Sequence, residues 1–168
     1  AELHVIGTPT DSRHLVGLPV PDDGSVVFRG LIPFAEVPKV LGQATMVVIP
    51  QLIEPGSAGQ LPTKLIEGMA LGRPVISTET ADIPLWLRDC GVVLPPGDVP
   101  ALADAISRLL ADAPERERLG AAARRRFESC ASLEAVRPRL IALFEALMEG
   151  KPLPAPTTPA DILTGLTV

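Results

Sequence analysis

Short apolar runs alternate along this chain with stretches whose apolar residues recur at helical spacing. Each run has the length of a buried strand and ends in Gly, Pro or Thr, so that a loop follows directly. The runs are Leu3–Gly7, Val26–Gly30, Met46–Pro50, Pro74–Thr78 and Gly91–Pro95. Such alternation is typical of repeated βα units. The pattern predicts an α/β fold with three Rossmann-like α/β/α layers around a mostly parallel sheet of about five strands.

The segments between and after these strands predict six helices. Asp98 is expected to cap the fourth, and Pro138 is expected to interrupt the last. The predicted helices cover Phe34–Ala44, Pro62–Leu71, Ile83–Asp89, 99–113, 114–130 and Leu133–Met148. We therefore expect one domain over residues 1–150, followed by an extended Pro- and Thr-rich tail over 151–168. If the tail packs against the domain, we expect it to do so through Ile162 and Leu163.

Composition and charge narrow the classes of function. Hydrophobic residues make up 46% of the 168 residues and aromatic residues 3%, which suits a sheet covered by helices. The net charge of −5 argues against a nucleic-acid-binding face, and acidic neighbours make the run Arg124–Arg126 a solvated helix surface. No apolar run is long enough to span a membrane. We expect a cytoplasmic protein.

The residues most often used for metal or redox chemistry are sparse. Cys90 and Cys130 lack the spacing of a metal site and are expected to be reduced thiols. His4 and His14 stand alone and are expected to be structural. We therefore predict neither a metal ion nor a cofactor.

One stretch, "GQLPTKLIEGMALGRPV" (59–75), carries a pattern that needs an explanation. A helix that has Pro62 in its first turn and stops at Gly72 places Lys64 near its start, where the helix dipole repels cations. One side of this helix is predicted to be buried through Leu65, Ile66, Met69 and Ala70, and the other side carries Thr63, Lys64, Glu67, Gly68 and Leu71.

Lys64 and Glu67 lie three residues apart on the same face, and two interpretations fit them. They could form an ordinary surface ion pair. Alternatively, Lys64 and the free amides of the first turn could bind a phosphate group, while Glu67, one turn further on, accepts hydrogen bonds from a diol such as ribose. The second interpretation describes a nucleotide site, and a glycine-bearing loop after a strand supports it. Neither a GxGxxG nor a Walker motif is present.

With these motifs in order, the chain resembles the C-terminal domain of a retaining, group 1 glycosyltransferase of the GT-B fold. The resemblance covers about residues 3–127. It is carried by "VVFRG", "MVVIP", "PTKLIEGMALGRPVIST", "GVVLPPGD" and "ALADAISRLLAD".

This resemblance implies a binding site for a UDP-, GDP- or ADP-sugar as donor substrate. It places Glu67 at the ribose hydroxyls and Thr63, Lys64 and Leu65 at the diphosphate. By the same likeness, Leu31 and Ile32 border the base, and Gly7 and Thr8 lie near the donor.

The chain departs from the family pattern at two places. Where many members have a glutamate at the donor sugar, this chain has Gly59, with Glu54 nearby as a weak catalytic candidate. The resemblance also leads us to expect that the first βα unit of the domain and the whole N-terminal, acceptor-binding domain are missing from this chain.

The resemblance implies an enzyme that transfers a sugar from a nucleotide-diphosphate sugar to an acceptor hydroxyl with retention. The isolated chain is expected to be inactive, and an exposed sheet edge could make it self-associate. Two alternatives remain open at this point: a nucleotide-sugar epimerase of the same fold, and a non-catalytic binding or assembly module.

Overall fold

The computed structural model describes residues 1–7, 19–53 and 59–153. The chain divides into two compact units, Ala1–Val40 and Leu41–Val168, and each is described by itself. Most of the predicted tail, including Ile162 and Leu163, lies outside the described residues.

The first unit contains two parallel strands, β1 (Leu3–Ile6) and β2 (Val26–Gly30). His4 on β1 is held by two neighbours: its Nδ1 accepts a hydrogen bond from Arg29 Nε at 2.6 Å, and its Nε2 lies 3.1 Å from Glu2 Oε2. Because an arginine Nε can only donate, the proton on the neutral ring must sit on Nε2, facing the carboxylate. His4 is thus held by hydrogen bonds within the first unit, and its structural role stays a prediction, whereas His14 lies outside the described residues.

The second unit is built on three parallel strands, β3 (Val47–Ile49), β4 (Val75–Thr78) and β5 (Val92–Leu94). They hydrogen-bond in the order β3-β4-β5, and the central strand β4 is buried along its whole length. All five predicted strands are thus present and parallel, paired as one two-stranded and one three-stranded sheet. The α/β prediction is confirmed.

The described residues contain six α-helices, whose bounds lie close to the predicted ones. Asp98, Asp112 and Ser132 cap the last three helices, each accepting a hydrogen bond from the backbone amide three residues ahead. The helices are α1 (Val37–Gln43, after a 3₁₀ turn at Phe34–Glu36), α2 (Thr63–Ala70), α3 (Ile83–Leu87), α4 (Val99–Ala111), α5 (Ala113–Cys130) and α6 (Leu133–Met148).

Two helix predictions need correction. Pro62 is the N-cap of α2 rather than a residue of its first turn. The predicted interruption at Pro138 is wrong, because α6 runs through this residue. Pro138 and Glu134 are both exposed, so water can reach the Glu134 carbonyl that the missing proline N–H leaves unpaired.

Helices pack on both faces of the three-stranded sheet. On one face Val75 of β4 belongs to a buried cluster with residues of α2, α3 and α5, among them Leu65, Met69, Ile83, Leu87 and Ala123. On the other face Ile76 packs with Ala105 and Leu109 of α4 and with Leu119 of α5. This arrangement is the predicted three-layer order. No helix within the described residues combines the length and the apolarity that crossing a bilayer requires.

Two of the three consecutive arginines on α5 do more than face solvent. Arg124 donates to the Ala70 carbonyl at the end of α2, and Arg126 donates to the carbonyls of Trp86 and Arg88 at the end of α3. Guanidinium groups at helix carboxyl ends satisfy free carbonyls and complement the helix dipole. The prediction of a solvated face therefore holds for Arg125 and for Arg124, which is exposed and forms an ion pair with Glu128, whereas Arg126 is only partly exposed.

Cys90 and Cys130 are buried free thiols, as predicted. Desolvation raises the pKa of Cys90 above its ordinary value of 9.0, although the nearby Arg126 opposes this shift. The folded chain therefore keeps the thiol proton to a higher pH than the unfolded chain does.

This difference predicts a pH-dependent loss of stability. Above about pH 9 the unfolded chain binds fewer protons at this position, so the free energy of unfolding falls by up to about 1.4 kcal/mol per pH unit from this thiol. Urea unfolding of the unsubstituted chain and of Cys90→Ala at pH 8, 9 and 10 would measure the effect. We expect the stability advantage of the cysteine chain to shrink as pH rises. A difference between the two chains that stays constant with pH would contradict the prediction.

Candidate functional site

The start of α2 leaves backbone donors free. Its N-cap is Pro62, whose side chain makes no capping hydrogen bond, whereas the last three helices are each capped by a side chain. The Leu65 amide bonds to the Pro62 carbonyl at 3.0 Å, but the amides of Thr63 and Lys64 have no backbone acceptor among the described residues. Free amides and the positive end of the helix dipole make this turn suited to an anion.

Lys64 and Glu67 do not neutralise each other. No ion pair joins them, and neither side chain has a hydrogen-bond partner among the described residues. Lys64 is exposed and Glu67 is partly exposed. The ion-pair interpretation is therefore not observed, and both charged groups remain available to a ligand.

The opposite side of α2 fixes the helix to the sheet. Leu65 and Met69 are fully buried, so the side chain of Leu65 belongs to the core rather than to the surface that a ligand could touch. Gly68 was expected on the exposed side but is buried. A Cβ at this position would lie 3.2 Å from Val75 Cγ2 and 3.3 Å from Val47 Cγ2, so the helix approaches β3 and β4 more closely than a larger residue would allow.

A set of hydroxyl groups that the sequence analysis did not single out anchors the end of β3. Ser77 Oγ donates to the Ile49 carbonyl at 2.9 Å, and Thr78 Oγ1 donates to the Gln51 carbonyl at 2.7 Å. Thr80 Oγ1 bonds to Gln51 Oε1 at 3.1 Å. The signal in the sequence was the run of hydroxyl residues that ends an otherwise apolar strand, because buried hydroxyls require partners.

The remaining predicted site residues fall in several places. Gly59, in the chain that leads to α2, is exposed and has a φ of 82°, a left-handed conformation that favours glycine. Glu54 and Thr8 lie outside the described residues. Gly7 follows β1, while Leu31, which is exposed, and Ile32, which is half-buried, follow β2; all three belong to the first unit.

The candidate site lies at the start of α2. A surface cavity of about 300 Å³ lies beside α4 and α5, lined by Val92, Arg108, Leu109, Ala111, Asp112 and Glu115, and contains none of the predicted site residues. Across the described ranges, no group of three or more His, Cys, Asp or Glu residues is arranged to hold a metal ion. The chemistry that this part of the chain offers is therefore amide, ammonium and carboxylate hydrogen bonding.

Comparison with known proteins identifies relatives of the chain. A family model described as "Glycosyl transferases group 1" matches residues 1–112. The alpha-D-kanosaminyltransferase of Streptomyces kanamyceticus is 29% identical over 96 residues, which is 56% of this chain and 24% of that protein.

Two solved structures show the same fold. Sucrose-phosphate synthase from Thermosynechococcus elongatus superimposes with a TM-score of 0.67 at 29% identity, over 76% of this chain and 31% of that one. Anabaena Alr3699/HepE, determined in complex with UDP, gives a TM-score of 0.72 at 16% identity, over 89% of this chain and 41% of that one.

The chain spans between about a quarter and two fifths of the length of these relatives. The family model nevertheless covers two thirds of the chain, and the fold agrees with it. The chain belongs to the group 1 glycosyltransferases, and it corresponds to the C-terminal domain of their GT-B fold.

Proposed function

We propose that this chain is the donor-binding part of an enzyme that transfers a sugar from a nucleotide-diphosphate sugar to an acceptor hydroxyl with retention of the anomeric configuration. The observation that carries the proposal is the first turn of α2. The amides of Thr63 and Lys64 lack described partners, and so do the Lys64 ammonium beside them and the Glu67 carboxylate one turn further along the same face.

The diphosphate is the part of the donor that this turn suits. The backbone amides of Thr63 and Lys64 donate to its oxygens, and the Lys64 ammonium adds a positive charge. During transfer, negative charge builds on the departing diphosphate. Donors that are already in place stabilise this charge without reorganising, which is electrostatic catalysis.

Glu67 suits the ribose. It stands roughly 5 Å further along the helix than Lys64, about the length of one turn. A carboxylate at that distance accepts hydrogen bonds from two vicinal hydroxyls, whereas it would repel a second phosphate. HepE, whose fold is similar, was crystallised with UDP and with UDP-glucose, which supports a nucleotide sugar as the ligand.

The relatives are two to four times as long as the part that matches, so the acceptor and the complete reaction belong to the whole protein. We therefore propose that the 168-residue chain binds nucleotide weakly and transfers no sugar. We place this chemistry in the cytoplasm, where nucleotide sugars are available, and assign it no nucleic-acid partner.

Isothermal titration calorimetry with UDP, GDP and ADP tests the proposal directly. We expect one of the three to bind, and we expect Lys64→Ala to weaken that binding about tenfold because charge-assisted hydrogen bonds to the diphosphate are lost. Arg125→Ala removes the same charge from an exposed position on α5 and serves as the matched control. An absence of binding for all three nucleotides, or an equal effect of both variants, would contradict the proposal.

Self-association of the isolated chain is a separate expectation. Exposed apolar side chains lie along α6, where Phe144 is 61% and Leu147 55% exposed, and on β1 and β2, where Leu3 is 53% and Phe28 48% exposed. A second copy of the chain would bury such surface. Light scattering should show an average mass that rises with protein concentration, and a constant monomer mass would argue against it.

A further inference from the structure

Gln51 is held from two sides immediately after β3. Thr78 Oγ1 donates to its backbone carbonyl at 2.7 Å, and Thr80 Oγ1 donates to its side-chain Oε1 at 3.1 Å. Both threonines are 5% exposed, so neither hydroxyl has ready access to water as an alternative partner. The backbone and the carboxamide of Gln51 are therefore fixed together.

The nitrogen end of this fixed side chain has no partner within the part of the chain that the structure describes. Because Oε1 faces Thr80, the Nε2 group carries two N–H donors, and no described residue accepts from them. Gln51 as a whole is partly exposed. A held carboxamide whose two donors have no described partner is arranged to bind oxygen atoms of a ligand.

The position of Gln51 shows which part of the donor it faces, if the donor binds as proposed above. Along α2 the diphosphate lies at the first turn and the ribose one turn further on. In a nucleotide-diphosphate sugar the transferred sugar is attached to the opposite side of the diphosphate from the ribose. We infer that the donor binds in an extended form, so that the sugar lies ahead of the helix start, towards the chain that leads from β3 into α2.

Gln51 lies at the beginning of that connecting chain. Its amide bonds to the carbonyl of Ile49 at 3.0 Å, and Ile49 shares one buried cluster with Leu65 of the first turn of α2. Leu52 and Ile53, which follow, have apolar side chains that cannot donate hydrogen bonds. Gln51 is thus the first polar side chain after β3 on the way to the helix.

We propose that Gln51 is a specificity-determining residue for the donor sugar, and that Thr80 is a positioning residue that orients it. The Nε2 group donates to a hydroxyl of the transferred sugar. This inference rests on the proposed function, because it uses the placement of the diphosphate at the start of α2.

The test compares each nucleotide sugar with its nucleoside diphosphate. UDP-glucose, GDP-mannose and ADP-glucose, and UDP, GDP and ADP, are titrated into the full 168-residue chain and into Gln51→Leu. We expect the variant to lose about three- to tenfold in affinity for the nucleotide sugar that binds best, the range of one neutral hydrogen bond, and to keep its affinity for the matching diphosphate. Gln43→Leu is the matched control, since Gln43 is exposed at the end of α1 and its side chain bonds to no described residue.

A double-mutant cycle tests the role of Thr80. Thr80→Val should reduce the same sugar-dependent part of the affinity, whereas Thr80→Ser, which keeps the hydroxyl, should restore it. In a Gln51→Leu background, Thr80→Val should have no further effect on the preference for sugar over diphosphate. A purely structural role for Thr80 would instead lower the thermal stability and weaken both ligands alike in either background, which would overturn its assignment.

The possible outcomes distinguish a failure of the role proposed for Gln51 from a failure of the proposed donor-binding function. An equal loss of affinity for nucleotide sugar and diphosphate in Gln51→Leu would place the amide at the diphosphate and overturn the inference. An unchanged preference would overturn it as well, while the proposed function would stand because the nucleotides still bind. If none of the six ligands bound the unsubstituted chain, the proposed function would fail, and the inference with it.

Discussion

Replacing Gly120 with alanine is expected to destabilise the chain by about 1–3 kcal/mol, the usual range for forcing a group into closely packed structure. A Cβ at this position of α5 would lie 2.2 Å from the carbonyl oxygen of Gly72, at the end of α2. Real Cβ atoms do not approach an oxygen so closely, and this oxygen belongs to the backbone, so it cannot rotate away as a flexible side chain would. The helices must separate, and the buried contacts between them are weakened. Urea unfolding followed by circular dichroism measures the loss.

Gly42 provides the matched control, because it also lies in a helix but has nothing within 4 Å of its Cβ position. Gly42→Ala is expected to be neutral or to stabilise the chain by up to about 1 kcal/mol, since alanine favours helix. The same substitution is therefore expected to lower the free energy of unfolding at Gly120 and to leave it unchanged or raise it at Gly42. A similar effect of both would show that helix propensity dominates and that the α2–α5 contact is looser than described.

Replacing Glu67 with alanine is expected to weaken nucleotide binding by about 10- to 100-fold, because hydrogen bonds to a charged group are lost. The more specific result concerns the ribose. We expect the unsubstituted chain to bind its preferred ribonucleoside diphosphate about tenfold more tightly than the 2′-deoxy form, and Glu67→Ala to bind both forms equally. Calorimetry with the two ligands on the two proteins measures this difference directly.

Glu117→Ala removes the same charge from an exposed position on α5 and controls for the change in net charge. If Glu67 served merely as a negative charge near the diphosphate, its removal would strengthen binding of both nucleotides. That result, or a preference for ribose that survives the substitution, would contradict the assignment of Glu67 to the ribose.

The strands, and the face of α2 that carries Lys64 and Glu67, could be predicted from the sequence because both depend on the local order of apolar and polar residues. An apolar run such as Val75–Thr78 has a single reasonable place in a parallel sheet, and its neighbours fix where it ends. Similarly, the spacing of Lys64 and Glu67 on a helix decides that they share a face, whatever lies behind them.

The features that were missed or wrong depend on contacts between distant parts of the chain. Gly68 has no side chain that reveals which way it faces, and its burial follows from how closely α2 approaches Val47 and Val75. Arg126 looks like any surface arginine of α5 until α3 ends beside it. The hydrogen-bond partner of Thr80 could not be predicted from the sequence either, because a hydroxyl can bond to any carbonyl or amide group within reach.

Two sets of contacts hold α2 in place. On its buried face, Leu65 and Met69 pack into the core. At its C-terminal end, Gly72 lies against Gly120 and Arg124 donates a hydrogen bond to the Ala70 carbonyl. Leu61, just before the helix, packs against the same core. The exposed Gln60 takes no part in the described contacts, so exchanges at that position can accumulate during evolution without unfolding the domain.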